Sequence, residues 1–137
     1  MIVYTGVQIH VKYVLTVHFM NGILLINFDM SKKKIRETFR NEVFKRDKNT
    51  CKVCNKKYAD VEMLDAHHIT DRHEIVSGGY VKENGITLCK EACHMRCEKF
   101  HISGGSEWEA GLHPDDLYKL IGSSKELAIQ KSNELEV

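Results

Sequence analysis

Two pairs of cysteines constrain this chain more than any other feature: Cys51-x2-Cys54 and, after a loop about the length of a small ββ unit, Cys89-x3-Cys93. Four thiolates brought to one point form a closed tetrahedral site for Zn²⁺. With no position left for water, such a site is structural rather than catalytic. The second spacing is one residue longer than the commoner two-residue gap, so Cys97 stays open as a substitute for Cys93. Cys93 is preferred because Cys97 would lie further along a helix. Five cysteines without a secretory cleavage pattern argue against a disulfide framework, and the expectation is a reducing, cytoplasmic compartment.

The chain has 137 residues, enough for one domain with a modest core. Apolar residues alternate strictly from Val7 to Phe19, and Asn21-Gly22 followed by ILLINF completes the pattern of a β-hairpin. His10, Lys12, His18 and Asn21 interrupt this apolar region, so no membrane helix is expected. At Met30 the character changes abruptly. MSKKKIRETFRNEVFKRD reads as a basic helix with Ile35, Phe39 and Val43 on one stripe. Two readings of the break stand: an accessory hairpin at 1–29, or an upstream extension with the natural start at Met30.

Charge is unevenly spread. Between Ser31 and Lys57 eleven Lys or Arg face three acids, whereas from Glu107 onward seven acids face three lysines. A basic block beside an acidic one suits a polyanion partner, although on charge alone a solvated helix face is the slightly preferred reading.

Beyond the helix the pattern predicts a cysteine knuckle, a strand over 61–69 bearing His67 and His68, a Gly78-Gly79 loop, and a short strand through 83–89. A helix from about Cys93 ends at Gly104-Gly105. A short helix opens at His113-Pro114, and a last one over 125–135 is capped by Ser123-Ser124. Successive side chains on a strand face opposite ways, so the adjacent histidines cannot share one task.

The segments RNEVFKRDKNTCKVC, LDAHHITDRH, GGYVKENGITLC and CHMRCE, taken together over residues 35–101, resemble an HNH endonuclease of the small phage and bacterial type, with a four-cysteine zinc cluster around the motif. The three-residue gap before Cys93 and the presence of Cys97 depart from the pattern. The resemblance implies an α+β fold with a ββα-metal (His-Me finger) core at 30–106, a helical segment at 107–137, and the structural zinc on Cys51, Cys54, Cys89 and Cys93. It implies that His68 is the general base, His67 and His94 are ligands of a catalytic divalent ion, and Asn84 orients the base imidazole. Glu98, four residues after His94 on the same helix face, can reach the same ion or face solvent. Imidazole ligands suit Mn²⁺, Co²⁺, Ni²⁺ or Zn²⁺ as well as Mg²⁺.

Lys33, Lys34, Arg36, Arg40 and Arg46 are expected to track phosphates together with Arg72 in the loop after the histidines. Such contacts supply affinity without base specificity. His101 is expected at the surface. The expected function is metal-dependent hydrolysis of DNA phosphodiesters in a bacterial host cell, with a phage packaging role, a mobile element and a restriction system all open. The rival is a nucleic-acid-binding zinc module without activity.

Overall fold

The computed structural model describes residues 14–20, 23–29 and 32–135. It divides into two compact units, with the boundary at Arg36 and Glu37. In the first unit, β1 (Val14–Met20) and β2 (Ile23–Asp29) pair antiparallel from Val14↔Asp29 to Met20↔Ile23. The antiparallel pairing expected of these two segments is present. Residues 7–13 and the Asn21-Gly22 turn lie outside the described residues.

Helix α1 (Lys32–Arg46) follows, and its buried stripe of Ile35, Phe39 and Val43 is joined by Phe44. The end of α1 is fixed by a buried carboxylate. Asp47 accepts two hydrogen bonds from the Arg46 guanidinium, at 2.8 and 2.7 Å, and one from the Thr87 N–H at 3.0 Å. Arg46 also donates to the carbonyls of Lys82 and Gly85. Its expected place on a phosphate-tracking surface needs correction: the guanidinium turns inward and ties α1 to the following sheet. Burial of a charge requires such a complete set of partners.

The predicted strand over 61–69 is shorter than its apolar pattern. The Asp60 carboxylate caps a 3-10 turn at Val61–Met63 by accepting from the Glu62 N–H, and β3 begins only at Leu64 (Leu64–His68). It pairs antiparallel with β4 (Gly85–Cys89), in register Leu64↔Cys89 to His68↔Gly85. All five residues of β4 are buried. Gly85 has no room for a side chain, since a Cβ there would lie 2.4 Å from Val43 Cγ2.

Helix α2 (Cys93–Ile102) comes next, then α3 (Pro114–Leu120) and α4 (Lys125–Asn133). His113 caps α3 through Nδ1, with Pro114 in the first turn, and Ser124 caps α4 by accepting from the Leu127 N–H. Phe39, Val43 and Phe44 share one core with Leu64, Ile69, Ile86 and Leu88, and with Leu117 and Ala128 of the last two helices. Residues 107–135 thus belong to the same compact unit as β3 and β4.

Candidate metal centre and catalytic cleft

The cysteine cluster is assembled by local turns. Cys51 accepts from the Asn55 N–H at 2.8 Å and donates its own N–H to Lys56 at 3.0 Å, which closes the knuckle. The Lys52 N–H bonds the Thr87 carbonyl at 3.0 Å, which sets the knuckle beside β4. Cys89 ends that strand and Cys93 starts α2. The four sulfurs lie within 4.8 Å of one another, Cys54 and Cys89 being 4.0 Å apart. A tetrahedron of Zn–S bonds of ~2.3 Å has edges of ~3.8 Å, so the donor set fits a four-thiolate ion.

Burial alone would raise the Cys89 thiol, but the Cys93 N–H, 3.4 Å from its sulfur, helps bring it down to about 7. Burial pushes Cys97 up to about 12, and its sulfur stands outside the cluster. Cys93 is the fourth member.

The second cluster rests on β3 and α2. His67 Nδ1 is 3.2 Å from Glu98 Oε1, and His94 Nε2 is 3.4 Å from the same oxygen. Each of the three residues offers a ligand atom to a group whose members lie within 4.8 Å of one another. Burial holds the His67 pKa below its ordinary value, which leaves a neutral imidazole, and among the described residues its Nε2 has no hydrogen-bond partner. Contact with His67 holds Glu98 down at about 2, so it is a carboxylate. Two imidazole nitrogens and one carboxylate oxygen make a donor set suited to a borderline divalent ion.

Asp65 completes the arrangement. Its Oδ2 is 3.0 Å from His94 Nδ1; with the proton on Nδ1, the lone pair of Nε2 is turned toward Glu98. No reading of the motif found Asp65, yet the strand period of two places it on the face of His67. Asp65→Ala is expected to weaken binding of a divalent ion at this cluster about 10–100-fold, measured by metal titration. Unchanged affinity would reduce the pair to an ordinary ion contact.

His68 points elsewhere. Its ring stacks on Phe39 at 4.5 Å between centroids and meets the edge of Tyr80 at 4.8 Å. Burial, and then the neighbouring His67, bring its pKa down to about 4, and among the described residues Nε2 has no hydrogen-bond partner. Asn84 makes no hydrogen bond to that ring. It is fully buried and bonds backbone instead: Oδ1 accepts from the Thr70 N–H at 2.9 Å, and Nδ2 donates to the carbonyls of Thr70 and Gly79 at 3.0 and 3.2 Å. The expected direct contact with the base is therefore replaced by a grip on the chain two residues beyond it. Gly79, at φ 63°, permits this grip, because a Cβ there would come within 2.5 Å of Asn84 Nδ2.

Asp65, Ala66, His67, His68, His94 and Glu98 line one cleft of about 280 Å³ together with Asp71, Arg72, Tyr80 and His101. The cleft takes in both faces of the end of β3. Residues 51–103 match the HNH endonuclease family model. No curated protein and no solved structure matches the chain.

The HNH segment carries both clusters, His68 and Asn84, and its match points to a nuclease or nucleic-acid-binding role. Arg72 is the basic residue, of those expected to meet phosphate, that lines the cleft. Lys33, Lys34 and Arg36 stand on the early turns of α1. Arg40 lies over the Phe44 ring at 4.8 Å and donates to the Val61 carbonyl. His101, expected at the surface, is half-buried, and its Nε2 lies 3.0 Å from the His68 carbonyl. Among the described residues, no helix is long and apolar enough to cross a membrane.

Proposed function

We propose that the chain is a metal-dependent endonuclease that hydrolyses DNA phosphodiester bonds on a ββα-metal core formed by β3, β4 and α2. The observation that carries this reading is the convergence of His67, His94 and Glu98 in one cleft with a neutral histidine outside their cluster. Bound there, a divalent ion supplies positive charge to the scissile phosphate and the departing 3′ oxygen.

His68 accepts a proton from water, and the resulting hydroxide attacks phosphorus. The P–O3′ bond breaks, and the 3′ oxygen takes a proton from solvent. An imidazole at about 4 is a weak base in the free protein. A phosphodiester in the cleft adds negative charge beside it, which raises its proton affinity when the substrate is in place. Arg72 offers the phosphate a counter-charge from the same cleft.

Zn²⁺ on Cys51, Cys54, Cys89 and Cys93 is the structural ion, since a four-thiolate shell leaves no position for water or substrate. Lys33, Lys34, Arg36 and Arg40 add affinity for the DNA backbone without reading sequence. Cleavage as a function of Mn²⁺ concentration tests the assignment of ligands. His67→Ala and His94→Ala are expected to shift the curve to higher metal and to recover part of the wild-type rate at saturation. Curves superposable on wild type would remove both from the catalytic ion.

A further inference from the structure

Tyr118 lies on α3, fifteen residues beyond the matched HNH segment, and the proposed chemistry above leaves it without a role. Its hydroxyl is buried at the centre of the Asn84 network. It donates to Asn84 Oδ1 at 2.7 Å and lies 2.7 Å from Thr70 Oγ1. A phenol has one proton, so the Thr70 hydroxyl must be the donor in the second bond. The directions of the whole network follow. Asn84 Oδ1 accepts from Tyr118 and the Thr70 N–H, while Nδ2 donates to Thr70 and Gly79. An amide side chain has two acceptor and two donor positions, and here all four are filled.

Without the Tyr118 hydroxyl, Oδ1 keeps one donor and the buried Thr70 hydroxyl loses this acceptor. Such buried polar groups are costly to leave unpaired, and a partly satisfied network loses its unique arrangement. The chain that would loosen is the one leaving His68: Ile69 donates its N–H to the Asn84 carbonyl at 2.9 Å, and Thr70 is held on both sides of its peptide by the Asn84 amide.

We infer that Tyr118 is a positioning residue for cleavage: through Asn84 and Thr70 it fixes the backbone from which His68 reaches the substrate, so the catalytic unit extends beyond the HNH segment into α3. The inference rests on the nuclease reading for its catalytic part. The structural link can be tested without activity.

The experiment compares the full-length chain with Tyr118→Phe, which keeps the ring and removes only the hydroxyl. Amide hydrogen exchange at Ile69 and Thr70 is expected to accelerate at least tenfold in the variant. Single-turnover cleavage of plasmid DNA with saturating Mn²⁺ is expected to slow about tenfold or more, with DNA affinity and metal content within twofold of wild type. Leu117→Val, which trims a buried neighbour on α3 and leaves the hydroxyl in place, controls for general loosening. It is expected to lower the melting temperature without changing the single-turnover rate well below it. Unchanged exchange at Ile69 and Thr70 in Tyr118→Phe, or equal slowing of cleavage by Leu117→Val, would overturn the inference. Accelerated exchange in a chain whose wild type never cuts DNA would overturn the nuclease reading, and the catalytic role of Tyr118 with it.

Discussion

His68→Ala is expected to lower the cleavage rate by roughly 10²–10⁴-fold, the usual cost of losing a general base, while zinc content, catalytic-metal affinity and DNA affinity stay near wild type. The site explains why so large an effect should be so confined. The imidazole belongs to neither cluster of ligand atoms. Its ring contacts are Phe39 and Tyr80, two aromatic pairs worth about 1 kcal/mol each beyond the area they bury. A loss of that size still leaves a domain of ordinary stability, about 5–15 kcal/mol, folded. Residual nicking should rise with pH, because hydroxide then forms without a protein base. Cleavage that is pH-independent and undiminished in His68→Ala would remove His68 from the chemistry.

Cys51→Ser is expected to abolish cooperative unfolding together with about one equivalent of tightly bound zinc. Binding at a structural four-thiolate site is largely folding energy, on the order of 10 kcal/mol, and the described cluster joins three separate pieces of chain. Cys51 and Cys54 come from the knuckle, Cys89 ends β4, and Cys93 starts the helix that presents His94 and Glu98. Loss of the ion should therefore disorganise the catalytic cluster as well as the fold. Cys97→Ser should keep the zinc, since its sulfur is outside the group. A folded Cys51→Ser chain with its full zinc content would contradict the four-cysteine site, and zinc loss in Cys97→Ser would reassign the fourth ligand.

What the sequence made legible has a physical pattern. Candidate ligands that lie on one element, or that share a short spacing, could be read directly as clusters: His94 and Glu98 four apart on α2, and the cysteine pairs flanking a compact ββ unit. The stripe Ile35, Phe39, Val43 was equally plain, because helix period and burial coincide. Residues that answer to distant partners were hidden. Arg46 looked like another cation of a basic helix, but its acceptors include carbonyls 36 and 39 residues away. Asn84 was recognisable as a motif residue, yet its acceptor oxygen meets a hydroxyl 34 residues downstream. The strand through 61–63 failed for a local reason: Val61 and Met63 carry strand-like side chains, and the Asp60 cap overrides them. Asp65 was within reach, since it stands two residues before His67 on the same face of the strand.

The most direct test of the central claim is nicking of supercoiled plasmid by purified wild-type chain across a Mn²⁺ titration, with His68→Ala purified and assayed in parallel. Nicking by the wild type is expected to depend on added metal and to be abolished by EDTA, with at least hundredfold weaker nicking by His68→Ala that no Mn²⁺ concentration restores. Absence of metal-dependent nicking in a folded, zinc-loaded wild-type chain, or equal nicking by the two proteins, would contradict that claim.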